Sequence, residues 1–560
     1  MRPLPLICSA LVFLTGCASS GGPIPAQSAA PYDLLIRNGR VVDGTGSPWF
    51  RADVAIRGDR IAAVGLLPDA QARDTIDATG LVVAPGFIVM LGHSEYPLLS
   101  DGRAVSKITQ GITTEITGEV TSVVPVNERT LHELGPATRA LVTWDDLDGY
   151  FDALDAARPA INLGTFVTVG SVRRYVMGDA DRPATPEELE EMEGLVADAM
   201  SQGAMGLSDG LIYEPASFAP TSELVALAKV AASYGGGYAT HMRSEGNRLI
   251  EAIDEAVEIG EKAGTWVDIH HLKASGRQNW GKMVQAVAEI QAARDRGVDV
   301  WADQYPYAAS GTDLDAIIPG WAHAGGTDSL VARLKNPVTR AKLRENLADS
   351  TRGTDWRIGT SAGGPHGVLL SDFATDSLEK YEGMRLDEVA AARQQPVVDA
   401  LFDLLIADHA ATAAIYFSMS EEDIETAMRQ PWVAVGIDAG ARAADSTVDE
   451  KPHPRAYGSF PRILCRYVRE RHVISLPEAV RKFSALPAER VGLDHRGVVK
   501  AGMFADLTLF DPATVCDRAT YARPVQTSVG IAHVIVNGVP VVRDGQVTGA
   551  RPGRGLRRGG

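Results

Sequence analysis

The feature that most restricts the fold is a strand–helix–strand unit between Gly235 and Gly276. Tyr238-Ala-Thr-His241 is a short apolar run ending in a histidine, and Trp266-Val-Asp-Ile269 is a second that leads into His270-His271. Between them Leu249, Ile250, Ile253, Ala256, Val257 and Gly260 recur at helical spacing. Glu251, Asp254, Glu255 and Glu258 fall between them, and Gly264 marks the stop. Such a crossover is right-handed and its strands are parallel, so both strand ends emerge on one side of the sheet. His241 and His271, at the ends of adjacent parallel strands, can share one metal ion on the face where α/β barrels carry their ligand sites.

The rest of the chain extends this pattern. Strands are expected at Phe87–Leu91, Thr113–Thr117, Asn162–Val169, Gly206–Ser208, Tyr238–His241, Val267–His271, Val298–Asp303, Ala414–Ser418 and Val433–Asp438. Helices are expected between most of them, as at Pro186–Gln202, Ser222–Tyr234 and Trp280–Arg296. This alternation points to a (β/α)8 TIM-like barrel, with nine candidates for eight places, so at least one lies outside it. Both ends of the chain read as β instead. Asn38-Gly39, Gly58-Asp59, Asn537-Gly538 and Asp544-Gly545 are hairpin-turn signals among short apolar runs. The expected division is a β-sandwich domain built from residues 32–85 and 488–548 around a barrel of residues 86–487, with an Arg/Gly tail at 549–560 read as solvated.

The first residues carry an address. Arg2 precedes the apolar run Leu4 to Leu14, too short to span a bilayer, and Leu14-Thr15-Gly16-Cys17 resembles a bacterial lipobox. Residues 1–17 are therefore expected to be a lipoprotein signal and residues 18–31 a flexible tether rich in Ser, Gly, Pro and Ala. The expectation is a lipid-anchored protein of the bacterial cell envelope facing the periplasm, touching membrane only through that anchor. A net charge of −17 with no basic stripe excludes nucleic acid as a partner. Cys465 and Cys516 are far apart and lack metal-type spacing, so they read as free or buried thiols.

Several segments share one resemblance. Ala84-Pro-Gly-Phe-Ile, Gly111-Ile-Thr-Thr, Gly210-Leu-Ile-Tyr213, Ala239-Thr-His-Met-Arg-Ser-Glu-Gly246, His271-Leu-Lys-Ala-Ser-Gly276, Tyr305-Pro-Tyr307, His453-Pro-Arg455 and the run from Arg496 to Asp506 lie in order along almost all of the chain after Ala30. Together they resemble the N-acyl-D-amino-acid deacylase (D-aminoacylase) family of the amidohydrolase superfamily. The resemblance implies a zinc-dependent barrel with a β-sandwich from both termini. It also implies His241 and His271 as ligands of the tightly held zinc, Asp438 as catalytic aspartate, and Lys273, Tyr305 and Arg455 as the grip on a substrate carboxylate.

The chain departs from that family at two metal positions. Gly86-Phe-Ile-Val-Met-Leu-Gly-His93 has Leu91 where the first histidine of the family's His-x-His stands, leaving His93. Thr117-Gly-Glu-Val-Thr121 has Val120 where the family has a ligand cysteine. Glu119 adjoins the vacated position and offers an oxygen donor that zinc accepts, with Glu95 the weaker alternative. The expectation is about one zinc per chain, held by His241, His271 and Glu119 with His93 nearby. The activity expected is hydrolysis of the amide of an N-acyl amino acid, a small-molecule substrate with a free carboxylate, and the resemblance implies the D-enantiomer. A dipeptidase or cyclic-imide hydrolase on the same barrel, and a non-catalytic envelope lipoprotein with a degenerate metal site, are the competing readings.

Overall fold

The computed structural model describes residues 31–132, 134–348, 364–444 and 451–559; the expectations for the leader, the lipobox and the tether up to residue 30 lie outside them. Five N-terminal strands come first: β1 (Tyr32–Val41), β2 (Phe50–Arg57), β3 (Arg60–Gly65), β4 (Ala72–Asp77) and β5 (Val82–Pro85). The barrel follows with β6 (Phe87–Gly92), β7 (Ile112–Thr117), β8 (Asn162–Thr165), β9 (Val167–Thr168), β10 (Gly206–Gly210), β11 (Gly237–His241), β12 (Val267–Ile269) and β13 (Val300–Gln304). An insertion carries β14 (Ser310–Asp313), β15 (Val368–Asp372) and β16 (Ala413–Tyr416), after which β17 (Val433–Val435) returns to the barrel. β18 (Leu507–Phe510), β19 (Ile531–Val536), β20 (Val539–Arg543) and β21 (Gln546–Val547) end the chain.

The barrel strands are parallel, bonded as β6-β7-β8 and as β9-β10-β11-β12-β13-β17. β8 and β9 are one strand interrupted at Phe166, whose N–H turns to Thr117 O at 2.9 Å. The ring closes where the Ile437 and Asp438 amides both donate to Leu91 O at 2.9 Å. Eight places are thereby filled. The ninth candidate, Ala414–Ser418, is β16, the middle strand of the insertion's antiparallel sheet. Every residue of β10 and of β11 is buried, as expected of parallel strands covered on both faces. The crossover helix Leu249–Ala263 buries the predicted stripe, with Ile250 half-buried, and ends at Gly264 in the left-handed conformation.

Strands from both termini join one nine-stranded sheet, in which β18 lies beside β5. Leu34, Ile36, Val54, Ile56, Leu507, Leu509 and Ile535 share one core, so the sheet folds over on itself. Three of the four turn signals connect hairpins: Arg57 faces Arg60, Val536 faces Val539 and Arg543 faces Gln546. The fourth is corrected. Asn38-Gly39 is a bulge inside β1, where the pairing with β2 slips between Ile36 and Gly39. The bulge lets the strand continue, because Val83 packs against Gly39 from the other side.

Two further expectations are overturned. Cys465 and Cys516 are not free thiols but a disulfide, with Cα atoms 4.9 Å apart. The segment after β18 folds back along the helical turn Ile463–Glu470, a proximity that spacing in sequence does not reveal. The bond closes a loop of 51 residues. Loop entropy of that length corresponds to about 4 kcal/mol in the unfolded chain. The Cys465→Ser, Cys516→Ser double variant is expected to lose between about 2 and 4 kcal/mol in denaturant unfolding, and reductant should reproduce the loss in the wild type. Nor is the Arg-rich tail solvated: Leu556 is buried, its amide donates to Leu163 O at 2.8 Å, Arg554 pairs with Asp59 and Arg557 with Asp148. Among the described residues no helix is long and apolar enough to cross a membrane.

Candidate active site

The C-terminal ends of β6, β7, β11, β12 and β17 bring His93, Glu119, His241, His271 and Asp438 together. Gly118 makes the first of these approaches possible. It has φ +90, and a Cβ there would lie 2.7 Å from Phe166 O, so only glycine lets the chain turn inward and place Glu119. Glu119 is buried at the centre. Its Oε1 is 3.0 Å from His241 Nδ1 and 2.8 Å from His271 Nε2, while its Oε2 is 3.3 Å from His93 Nε2. His93 Nε2 is in turn 3.1 Å from Asp438 Oδ1. The two imidazoles on adjacent strands have ring centroids 4.4 Å apart. His271 and Asp438 both have left-handed backbone, φ 36 and φ 55. Such angles in non-glycine residues cost about 1–3 kcal/mol each and cluster at working sites.

Two donor sets overlap. Glu119, His241 and His271 offer ligand atoms within 4.8 Å of one another, and so do His93, Glu119 and Asp438. The first set, one carboxylate oxygen with two imidazole nitrogens, is the donor composition of catalytic zinc sites. The residues therefore fit a divalent ion, with Glu119 in the place that Val120 cannot fill. Glu95, the weaker alternative, belongs to none of the donor sets among the described residues. Burial pushes its carboxyl up to about 7.

Charge is balanced around the imidazoles. Burial would raise the Glu119 carboxyl, but His271, His241 and His93 hold it well below the usual carboxylate range. Burial and the Lys273 charge push His271 down, but Glu245 and Glu119 outweigh them and carry it to about 10. Metal-free His271 is therefore protonated at neutral pH, and a metal must displace that proton. Zinc affinity is expected to rise with pH up to about 10 and to fall about tenfold per unit below it for each proton displaced. Calorimetry in buffers of different ionisation enthalpy reads that proton release directly.

Glu245 is a site residue that sequence reasoning passed over. Its Oε1 is 3.0 Å from His271 Nδ1 and its Oε2 is 3.6 Å from His241 Nε2, on the sides away from Glu119. For His271 it is the outer carboxylate that fixes the orientation of a ligand imidazole, while His241 feels only its charge. Its place four residues after His241 was visible, but a loop has no fixed geometry from which to read contact. Lys273, expected in the substrate grip, is taken up by Glu245 and lies 2.8 Å from His271 Nδ1. Tyr213 was also passed over: its ring meets His241 edge-on at 5.5 Å, and its hydroxyl is 2.6 Å from Thr312 Oγ1 in the insertion.

Arg455 pairs with Asp438 and packs on Tyr305. Arg455 Nη1 is 2.7 Å from Asp438 Oδ2, its Nη2 donates to Gly311 O, and its guanidinium lies 4.7 Å from the Tyr305 ring centroid. The guanidinium and His93 outweigh burial and hold the Asp438 carboxyl at about 2. Among the described residues, Arg455 Nε and the Tyr305 hydroxyl are buried without a hydrogen-bond partner. A cleft of about 620 Å3 lies between Val120, Tyr213 and Ser244 of the barrel and Asp315, Ile318 and Trp321 of the insertion, and it adjoins the site through Tyr213, whose ring meets His241. It is of a size that takes a small organic molecule.

A profile of the amidohydrolase family matches residues 74–542. The chain belongs to the amidohydrolase family. It is 36% identical over 539 residues to the D-aminoacylase of Alcaligenes xylosoxydans xylosoxydans, covering 95% of this chain and 99% of that protein. Among solved structures it is similar to the N-acyl-D-glutamate deacylase of Bordetella bronchiseptica complexed with zinc and a phosphonate inhibitor that mimics the tetrahedral intermediate. The TM-score is 0.79 at 34% identity, covering 94% of this chain and 100% of that one. A D-aminoacylase structure that concerns a binuclear metal centre, with one-metal activation and second-metal attenuation, gives a TM-score of 0.79 at 35% identity, covering 94% and 100%. As an amidohydrolase with these relatives, the chain has a donor set that fits a divalent metal, with Leu91 and Val120 at two positions where the resemblance implied ligands.

Proposed function

We propose that the protein hydrolyses the amide bond of an N-acyl-D-amino acid, releasing a carboxylic acid and the free amino acid. The observation that carries this reading is Glu119 Oε1 seated between His241 Nδ1 and His271 Nε2, with Asp438 one contact away across His93. When bound there, a divalent ion supplies a water of lowered pKa and polarises the acyl carbonyl. Asp438 accepts a proton from the attacking water and passes one to the departing amine nitrogen, which otherwise leaves as a poor anion. Arg455 and Tyr305 hold the substrate carboxylate, with the buried Arg455 Nε and Tyr305 hydroxyl as donors. Glu245 keeps His271 turned toward Glu119.

The same reading includes one tightly held zinc per chain. The first donor set is fully buried and has two imidazoles of its own. The second has only His93, the shared Glu119 and the base Asp438, itself paired with Arg455. A second ion is expected only at raised metal concentration. The reading also places the protein in the bacterial envelope on a lipid anchor at Cys17. The Cys465–Cys516 disulfide supports this, since such bonds persist in oxidising compartments. Cys17→Ser should then move the protein from the membrane fraction to the soluble one.

A substrate panel tests the activity. N-acetyl-D-amino acids should be cleaved faster than their L-enantiomers, than dipeptides and than cyclic imides. Cleavage confined to dipeptides or imides would replace the proposed activity with another on the same barrel, and no cleavage of any amide would favour a binding protein.

A further inference from the structure

Inside the barrel, three side chains capable of chemistry take no part in the mechanism above: Asp268 on β12, His270 just after it and Asp303 on β13, each at most 1% exposed. Asp303 is the hub. Its Oδ2 is 2.9 Å from His270 Nδ1, and its Oδ1 accepts the backbone N–H of His271 at 3.0 Å. The Asp303 carbonyl accepts the next amide, that of Leu272, at 2.8 Å. Two successive amides around a left-handed histidine are thus held by one residue. Its carboxylate also fills the space beside Gly436, where a Cβ would fall 2.1 Å from Asp303 Oδ1, two residues before Asp438.

We propose that Asp303 is a positioning residue: its carboxylate holds His271 in the left-handed conformation that presents Nε2 to Glu119, and packs against the segment that carries Asp438. A backbone at φ 36 is unfavourable for histidine and reverts toward ordinary angles unless its surroundings over-determine it. The hydrogen bond joins two buried groups, a setting in which such bonds are strong. His270 fixes the other carboxylate oxygen and so the plane of the group. Asp268, His270 and Asp303 also qualify by distance as a metal cluster, but both Asp303 oxygens are engaged in hydrogen bonds within the protein. The contacts therefore favour a scaffold over an ion site.

The inference rests on the reading that His271 binds metal, and it is tested without substrate. Asp303→Ala and Asp303→Asn would be compared with wild type in zinc affinity, by chelator competition, and in the visible spectrum of the cobalt-loaded protein. Asp303→Ala should weaken zinc at least about tenfold and shift the cobalt bands. Asp303→Asn, which keeps a neutral acceptor for the His271 amide, should fall between Ala and wild type. If Asp303→Ala does not fold, Asp303→Asn decides. Wild-type affinity and wild-type cobalt bands in whichever variant folds would overturn the proposal. So would loss of a zinc equivalent in Asp268→Asn, because the cluster would then be holding an ion. A wild-type protein that binds no zinc would instead remove the metal reading itself.

Discussion

Glu119→Gln is expected to lose zinc and activity together. Glu119 Oε1 lies within 3.0 Å of both His241 Nδ1 and His271 Nε2, and Glu119 is the shared member of both donor sets. A glutamine amide has nearly the same volume but no charge. It leaves two neutral imidazoles as the main donors to a doubly charged ion, below the three protein ligands usual at catalytic zinc. It also removes the anion that balances His93 and His271. The loss in zinc affinity should exceed the roughly 10- to 100-fold that changes outside the ligand set cost. Turnover should fall in proportion to the zinc lost and should recover in part with excess metal. Equilibrium dialysis with metal analysis reads the first, and an amide-hydrolysis assay at several zinc concentrations reads the second. A variant that keeps both would make Glu119 a bystander, with His93 or Asp438 as the remaining candidates for third ligand.

The second large effect separates chemistry from metal binding. Asp438→Asn should keep the tight zinc yet lose about 10²- to 10⁴-fold in kcat, the usual contribution of a general acid–base group. The asparagine can still lie beside His93, but it cannot accept a proton from water. Arg455 lies 2.7 Å from Asp438, so the neutral residue also loosens the guanidinium, and some rise in KM is expected. Zinc loss in Asp438→Asn as deep as in Glu119→Gln would make Asp438 a principal ligand.

The barrel was legible because its signals are local. Alternating apolar runs and helical stripes mark the eight strands, and right-handed crossover puts His241 and His271 side by side. Glu119 was legible as an anion next to a vacated ligand position. What was not legible depends on contacts distant in sequence. Glu245 reaches His271 from a loop, Lys273 is ion-paired with that same Glu245, and the Asp303 carboxylate accepts a backbone amide from the end of the neighbouring strand. The Cys465–Cys516 bond and the tail packed on Leu163 likewise join segments whose approach only the folded chain defines. Asn38-Gly39 misled for the opposite reason: its local preference for a turn is real, but the partner strands on either side hold β1 extended through it.

The most direct test of the account is a zinc titration of the chelated protein, with hydrolysis of an N-acetyl-D-amino acid followed at each step. The account predicts that chelation abolishes turnover and that full activity returns at about one zinc per chain, with no gain from a second. Activity that survives complete removal of metal, or that returns only when two ions are bound, would contradict it.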